Sequence, residues 1–257
     1  MKRLLYLVIP SLLLFGVGFA GQIKVGATPV PHAQILQSVV PMLKKQGVNL
    51  KIVVFNDYIT PNLALEDKSL DANFMQHLPY LEKINKDKNL HLVSIAQIHI
   101  EPLGIYSQKI RDISQLRKGA VISVPIDASN FARALILLHN SGIITLKDPN
   151  NLAATEHDIK SNPKKIKIKR LDAGLLAKTL DDVDAAVING NFALQANLKA
   201  KDALKLEDSR SAFANILVVR SGDENREDIV ALKKALQSPE TKKFIEEHYQ
   251  GEVIPVF

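Results

Sequence analysis

Apolar and polar positions along this chain follow two periods. Gln22-Ile-Lys-Val-Gly-Ala27 alternates every second residue and predicts a strand. Leu50-Lys-Ile-Val-Val-Phe55, Ala120-Val-Ile-Ser-Val124, Asp184-Ala-Ala-Val-Ile188 and Ile216-Leu-Val-Val219 are short apolar runs rich in β-branched residues, and predict further strands. Between them the period becomes helical. Ile35, Leu36, Val39, Val40 and Leu43 share one face of a helix over 33–46, with Gly47 as its stop. Helices are also predicted over 61–65 and 79–86, each with Pro in the first turn, and over 130–140, 171–180, after Asn191, 225–236 and 239–249. This alternation predicts an α/β protein with a largely parallel sheet. The unit of strand, Pro-containing turn and helix occurs near residue 22 and again near residue 120, which predicts two similar lobes. Segments 100–106 and 216–221 are short, apolar crossings between them. Residues 21–103 plus 220–257 are therefore expected to form one lobe and 104–219 the other, hinged around a cleft.

The composition adds a compartment. At 257 residues, 46% hydrophobic and 23% charged, the chain can build a sizeable core and is not a disordered one. Lys2 and Arg3 precede an apolar run over 4–19, and Gly18-Phe19-Ala20 offers small residues before a cut. That pattern predicts a secretory signal peptide over 1–20, cleaved after Ala20. The run is shorter than the roughly twenty residues of a bilayer span, so the mature protein is expected to be exported and soluble. Loss of Lys2 and Arg3 lowers the formal charge from +6 to +4. The Lys-rich stretch 160–170 lacks interleaved aromatics and predicts a solvated loop leading into an edge strand, not a nucleic-acid surface. The chain has no cysteine, which excludes disulfides, thiol catalysis, Cys-ligated zinc and a lipid-modified N-terminal Cys.

Candidate chemistry centres on Arg133, whose neighbours in Ser129-Asn-Phe-Ala-Arg-Ala-Leu-Ile-Leu-Leu138 are almost all apolar. In the first turn or so of its helix a cation opposes the helix dipole, and a buried guanidinium needs an anion. A docked ligand anion would supply it; an internal carboxylate, or snorkelling to the surface, would serve equally. Asn189-Gly-Asn191 follows an apolar strand, where ligands bind in open α/β sheets and where turns also favour Asn and Gly. Asn215 precedes the strand at 216–219. Tyr58, Phe74 and His77 could line an apolar pocket with a polar rim, or simply pack at loop ends. No nucleophile elbow, metalloprotease helix, P-loop or dinucleotide fingerprint is present. The seven His have no i, i+4 pair that would suggest zinc. Ser129 with a distant His is the weak candidate for an enzyme, and no cofactor or metal is called for.

Taken together, Val25-Gly-Ala-Thr-Pro-Val-Pro-His-Ala33, Pro61-Asn-Leu-Ala-Leu65, Leu70-Asp-Ala-Asn-Phe-Met-Gln-His-Leu-Pro-Tyr-Leu81, Ile100-Glu-Pro-Leu-Gly104, Leu180-Asp-Asp-Val-Asp-Ala-Ala-Val-Ile-Asn-Gly-Asn191 and Ala214-Asn-Ile216 resemble the methionine-binding lipoprotein family, the NlpA family of substrate-binding proteins of methionine ABC importers. They span nearly the whole mature chain in the family's order. The resemblance implies a two-lobed periplasmic binding protein (Venus flytrap) fold that closes on one free amino acid, L-methionine, and hands it to an ABC permease and ATPase. It implies that Arg133 grips the ligand carboxylate, that Asn189 and Asn215 hold its charged end, and that Tyr58, Phe74 and His77 surround its side chain. It implies no catalysis, no cofactor and no nucleic-acid partner, and a monomer in the periplasm. D-Methionine, another small amino acid or a short peptide are the alternative ligands. Family members commonly carry a lipidated Cys at the cleavage site, so this chain is expected to be a non-lipidated variant.

Overall fold

A computed structural model describes residues 21–208 and 212–257; the expected signal peptide lies outside the described residues. The strands are β1 (Gln22–Ala27), β2 (Asn49–Val54), β3 (Ala72–His77), β4 (Leu92–Ile100), β5 (Gly104–Tyr106), β6 (Val121–Pro125), β7 (Thr145–Leu146), β8 (Ile159–Ser161), β9 (Lys167–Leu171), β10 (Ala185–Ile188), β11 (Lys205–Leu206), β12 (Asn215–Arg220) and β13 (Ile254–Pro255). They form a six-stranded sheet in the order β13-β4-β12-β3-β1-β2, a five-stranded sheet in the order β11-β5-β10-β6-β9, and a β7-β8 pair. β1 lies parallel to β2 and β3, and β6 lies parallel to β9 and β10. β12, by contrast, runs antiparallel to both β3 and β4.

Each sheet carries its own core. α1 (Gln34–Lys45), α6 (Glu227–Leu236) and α7 (Pro239–Tyr249) pack Leu36, Leu232 and Ile245 against Ile23, Val25 and Leu217 of the six-stranded sheet. α2 (Thr60–Glu66) and α3 (Leu78–Lys88) cover its other face through Leu65 and Leu81. With both faces covered, every residue of β3 is buried, as expected for an inner strand of such a sheet. In the second lobe α4 (Ala128–Asn140) buries Phe131, Leu135 and Leu138 against β6, while α5 (Gly190–Gln195) lies on the opposite face with Leu176 and Ile188. This is the two-lobed periplasmic binding protein architecture.

Four expectations need adjusting. β12 pairs inside the first lobe's sheet, so the second lobe ends before Asn215 and not at residue 219. An apolar run shows that a strand is buried but not which sheet it joins. Helix α4 starts at Ala128, because the Asp127 carboxylate accepts from the Asn130 N–H and caps it. Arg133 therefore sits in the second turn, beyond the reach of most of the dipole penalty. Residues 171–180 form a 3₁₀ stretch, Ala173–Thr179, not an α-helix. The chain leaves the first lobe at 101–103, between β4 and β5, and β12 lies back in it after β11. The Lys-rich stretch does lead into an edge strand, β9.

The two crossings touch. The Glu207 N–H donates to the Leu103 carbonyl at 2.8 Å, and the Glu207 carboxylate accepts from the Leu103 N–H at 3.3 Å.

Candidate functional site

The candidate residues gather where strand ends of one lobe face the helix starts of the other. His77 ends β3 and Asn215 begins β12, and the two are paired in register, with His99 of β4 across from Asn215 on its other side. Tyr58 stands on the loop before α2, in a turn fixed by the Asp57 carboxylate, which accepts from the Ile59 and Thr60 N–H groups at 2.8 and 2.7 Å. From the second lobe come Asn130 and Arg133 on α4, Asn189 at the end of β10 and Asn191 in α5. Together with Met75, Gln76, Tyr80, Glu101 and Gly190, all of these but His99 line a small cavity of about 20 Å³, far below the volume of an open small-molecule site.

Hydrogen bonds cross the cavity from lobe to lobe. The Tyr58 hydroxyl donates to Asn191 Oδ1 at 2.6 Å. His77 Nδ1 accepts from the Tyr80 N–H at 3.2 Å, which leaves Nε2 as the protonated nitrogen, donating to Asn130 Oδ1 at 3.1 Å. Asn130 Oδ1 also accepts from Asn189 Nδ2 at 2.9 Å. Burial pushes His77 down to about 3, helped by the nearby Arg133 charge, so it is a neutral donor at physiological pH. Burial likewise raises the Tyr58 and Tyr80 hydroxyls, with Glu101 and Asp127 adding to the first and Asp127 and Asp57 to the second. Two polar side-chain atoms of the cavity wall, Asn189 Oδ1 and Asn191 Nδ2, are buried without a hydrogen-bond partner.

Arg133 is only 3% exposed, yet its charge is answered from within. Nε donates to both Glu207 oxygens at 2.9 and 3.1 Å, Nη2 donates to Glu207 Oε2, and Nη2 also reaches the Glu101 carbonyl at 3.0 Å. The guanidinium lies 4.6 Å from the centre of the Phe213 ring. The internal carboxylate is thus the alternative that the structure contains, and burial of Arg133 does not by itself demand a ligand anion. The residue remains on the cavity wall, and these contacts leave Nη1 unused.

Phe74 does not reach the cavity. It is fully buried in the first lobe's core, edge-on to the rings of His32 and His99 at 4.8 and 5.3 Å. β3 has a bulge between Phe74 and Gln76, and Met75, Gln76 and His77 after it line the cavity while Phe74 does not. Tyr58, His77, Arg133, Asn189 and Asn215 do line the cavity. Ser129, the enzyme candidate, keeps a buried hydroxyl with no hydrogen-bond partner and hence no base.

Glu101 and Asn130 were not singled out by sequence reasoning, and Asn191 entered it as part of the Asn189-Gly-Asn191 segment. Glu101 stands in the first crossing, 4% exposed, with Oε1 accepting from His99 Nε2 at 2.6 Å and lying 3.2 Å from His32 Nε2. His32 Nε2 is also 3.0 Å from Asn215 Oδ1, and its Nδ1 is 2.7 Å from the Thr28 hydroxyl. Flanked by two acceptors, Nε2 carries the proton and Nδ1 accepts from Thr28. Burial lowers His32 to about 4 and His99 to about 3, and raises Glu101. Donor atoms of these three residues lie within 4.8 Å of one another, the group among the described residues spaced to hold a metal ion. With both Nε2–H groups turned toward the carboxylate, though, the imidazole lone pairs face away from it.

Comparison with known proteins follows this geometry. A family model described as NlpA lipoprotein matches residues 23–257. The chain is 41% identical to the methionine-binding lipoprotein MetQ of Bacillus subtilis over 241 residues, covering 91% of this chain and 88% of the relative. It is 38% identical to the probable D-methionine-binding lipoprotein MetQ of Pasteurella multocida, covering 91% of this chain and 86% of the relative. The solved structure of a nutrient binding protein from Burkholderia cenocepacia bound to methionine superposes with a TM-score of 0.88 at 44% identity, covering 91% of this chain and all of that one.

Proposed function

This chain belongs to the NlpA lipoprotein family of methionine-binding lipoproteins, and from that membership we propose that it is the substrate-binding protein of an ABC importer and closes on L-methionine between its lobes. The observation that carries the reading is the pair of orphaned amide atoms in the cavity wall. Asn189 Oδ1 is a buried acceptor and Asn191 Nδ2 a buried donor, each lacking a partner. An unmet buried polar atom costs about 1–3 kcal/mol, and a zwitterion bearing both an ammonium and a carboxylate answers both. Arg133 Nη1 offers a further donor toward the carboxylate, and Asn215 lines the same cavity.

The aromatic part of the lining suits a thioether. Tyr58 meets Tyr80 edge-on at 5.8 Å and Phe192 at 5.3 Å, with Met75 and His77 alongside. Sulfur–aromatic contact and apolar burial each contribute around 1 kcal/mol. Transfer to a membrane permease and its ATPase completes the role, with the mature chain acting as a monomer in the periplasm after cleavage near Ala20. No helix among the described residues is long and apolar enough to cross a membrane. A D-methionine ligand is the second reading, supported by the Pasteurella relative's name.

The test is calorimetric titration with L- and D-methionine after unfolding and refolding to strip carried-over ligand. The expected result is saturable binding with L-methionine preferred. Absence of heat with every apolar amino acid would sink the proposal, and preference for the D-enantiomer would replace it with the second reading.

A further inference from the structure

The cavity wall holds a carboxyl as well as a guanidinium. Among the described lining residues, Arg133 and Glu101 carry formal charges. Arg133 is matched by Glu207. Glu101 is nearly as deeply buried, but its side-chain partners are two imidazoles that burial keeps neutral. Burial raises Glu101 despite the nearby His32, the Arg133 charge and the Asn191 N–H, and a cation arriving beside it would favour its carboxylate form.

We propose that Glu101 is the receptor for the ligand's ammonium group and thereby restricts the cavity to compounds with a free, charged amine. The assignment rests on the amino-acid reading above and names the group that enforces it. Three observations support it. Glu101 lies on the cavity wall beside Asn215, whose Oδ1 shares the His32 Nε2–H with it. A ligand ammonium at that place would meet two acceptors at once. His32 and His99 fix Oε1 through their Nε2–H groups, so the carboxylate is held before the ligand arrives. The Arg133 Nη2 bond to the Glu101 carbonyl places the receptors for the two ligand charges on adjoining walls, as an α-amino acid requires. In this scheme His32 and His99 are positioning residues. Because both turn N–H groups toward Oε1, the same cluster suits an organic cation better than a metal ion, which would need their lone pairs.

The experiment compares two ligands of nearly equal shape: L-methionine and 2-hydroxy-4-(methylthio)butanoate, in which a hydroxyl replaces the ammonium. Binding of each to the refolded mature chain, and to its Glu101→Gln variant, is measured by calorimetry, with circular dichroism to verify folding. The wild-type protein is expected to prefer methionine by at least about 30-fold, the scale of a buried charge pair with one partner removed. In Glu101→Gln the methionine affinity falls by a similar factor while that for the hydroxy acid is unchanged. Equal wild-type affinity for the two compounds overturns the assignment without recourse to any variant. An equal loss for both in Glu101→Gln also overturns it, since that is the mark of a purely structural residue. Binding of neither compound by the wild type overturns the amino-acid reading and this assignment with it.

Discussion

Glu207 supplies the ionic contact that lets Arg133 stay inside the protein. Removing one partner of a buried pair strands the other, at a cost of about 3–5 kcal/mol where both are fully enclosed. Glu207 is 14% exposed in its side chain, so Glu207→Gln is expected to lower stability by about 2–4 kcal/mol. Saturating methionine should recover part of that loss, because its carboxylate would neutralise the freed guanidinium. Urea unfolding with and without ligand measures both; a change below about 0.5 kcal/mol would show that Arg133 does not depend on this partner. Arg133 is legible in the sequence as a cation among hydrocarbon neighbours. Glu207 is not, because its pairing is made by a return crossing far along the chain. Glu101 was visible within Ile100-Glu-Pro-Leu-Gly104, but nothing local shows that His32 and His99 converge on it. Phe74 packs in the first lobe's core and not on the cavity wall, and the bulge of β3 that separates it from His77 is not legible in the sequence.

At the scale of elements, the start of α5 is the tightest fit near the cavity. A Cβ on Gly190 would lie 2.6 Å from Glu101 Cβ and 3.3 Å from the Pro102 carbonyl oxygen. Gly190→Ala must therefore push the helix off the first crossing, and is expected to cost about 1–3 kcal/mol of stability and to weaken ligand binding. Gly174→Ala is the control, since its Cβ would meet only ordinary contacts at 3.4–3.5 Å. Thermal unfolding and titration of the two variants check this; equal behaviour would remove the packing argument. Strand and helix periods were read correctly for most elements because each buries one face or both. The failures have physical causes as well. The Asp127 cap moved the start of α4, and the apolar run at 216–219 could not reveal its partner strands, since hydrophobicity encodes burial but not pairing.

At the scale of the whole molecule, three enclosed histidines tie stability to pH. Burial lowers His32 to about 4, and His77 and His99 to about 3, from an ordinary 6.5. A base with a depressed folded pKa contributes stability that is complete above 6.5 and is lost as the pH falls toward its folded value, since the unfolded chain then binds more protons. Each histidine contributes a slope of up to about 1.4 kcal/mol per pH unit in that window. Burial raises Glu101 and Asp127, so those carboxyls take up protons earlier in the folded state and offset part of the loss. Net stability is expected to fall between pH 6.5 and 4, as read from urea midpoints across that range; a flat profile would show that the imidazoles protonate without unfolding.

The placement of β12 carries one more consequence. Because β1 and β2 as well as β12 and β13 belong to the first lobe, the second is an insert, bounded by β5 and β11, within a scaffold assembled from two distant pieces. A ribosome or an export channel that releases residues in order therefore delivers all of the inserted lobe before the scaffold's inner antiparallel strand exists. The insert can mature first, while the scaffold stays an unfinished sheet with open edges until the segment that begins with β12 arrives.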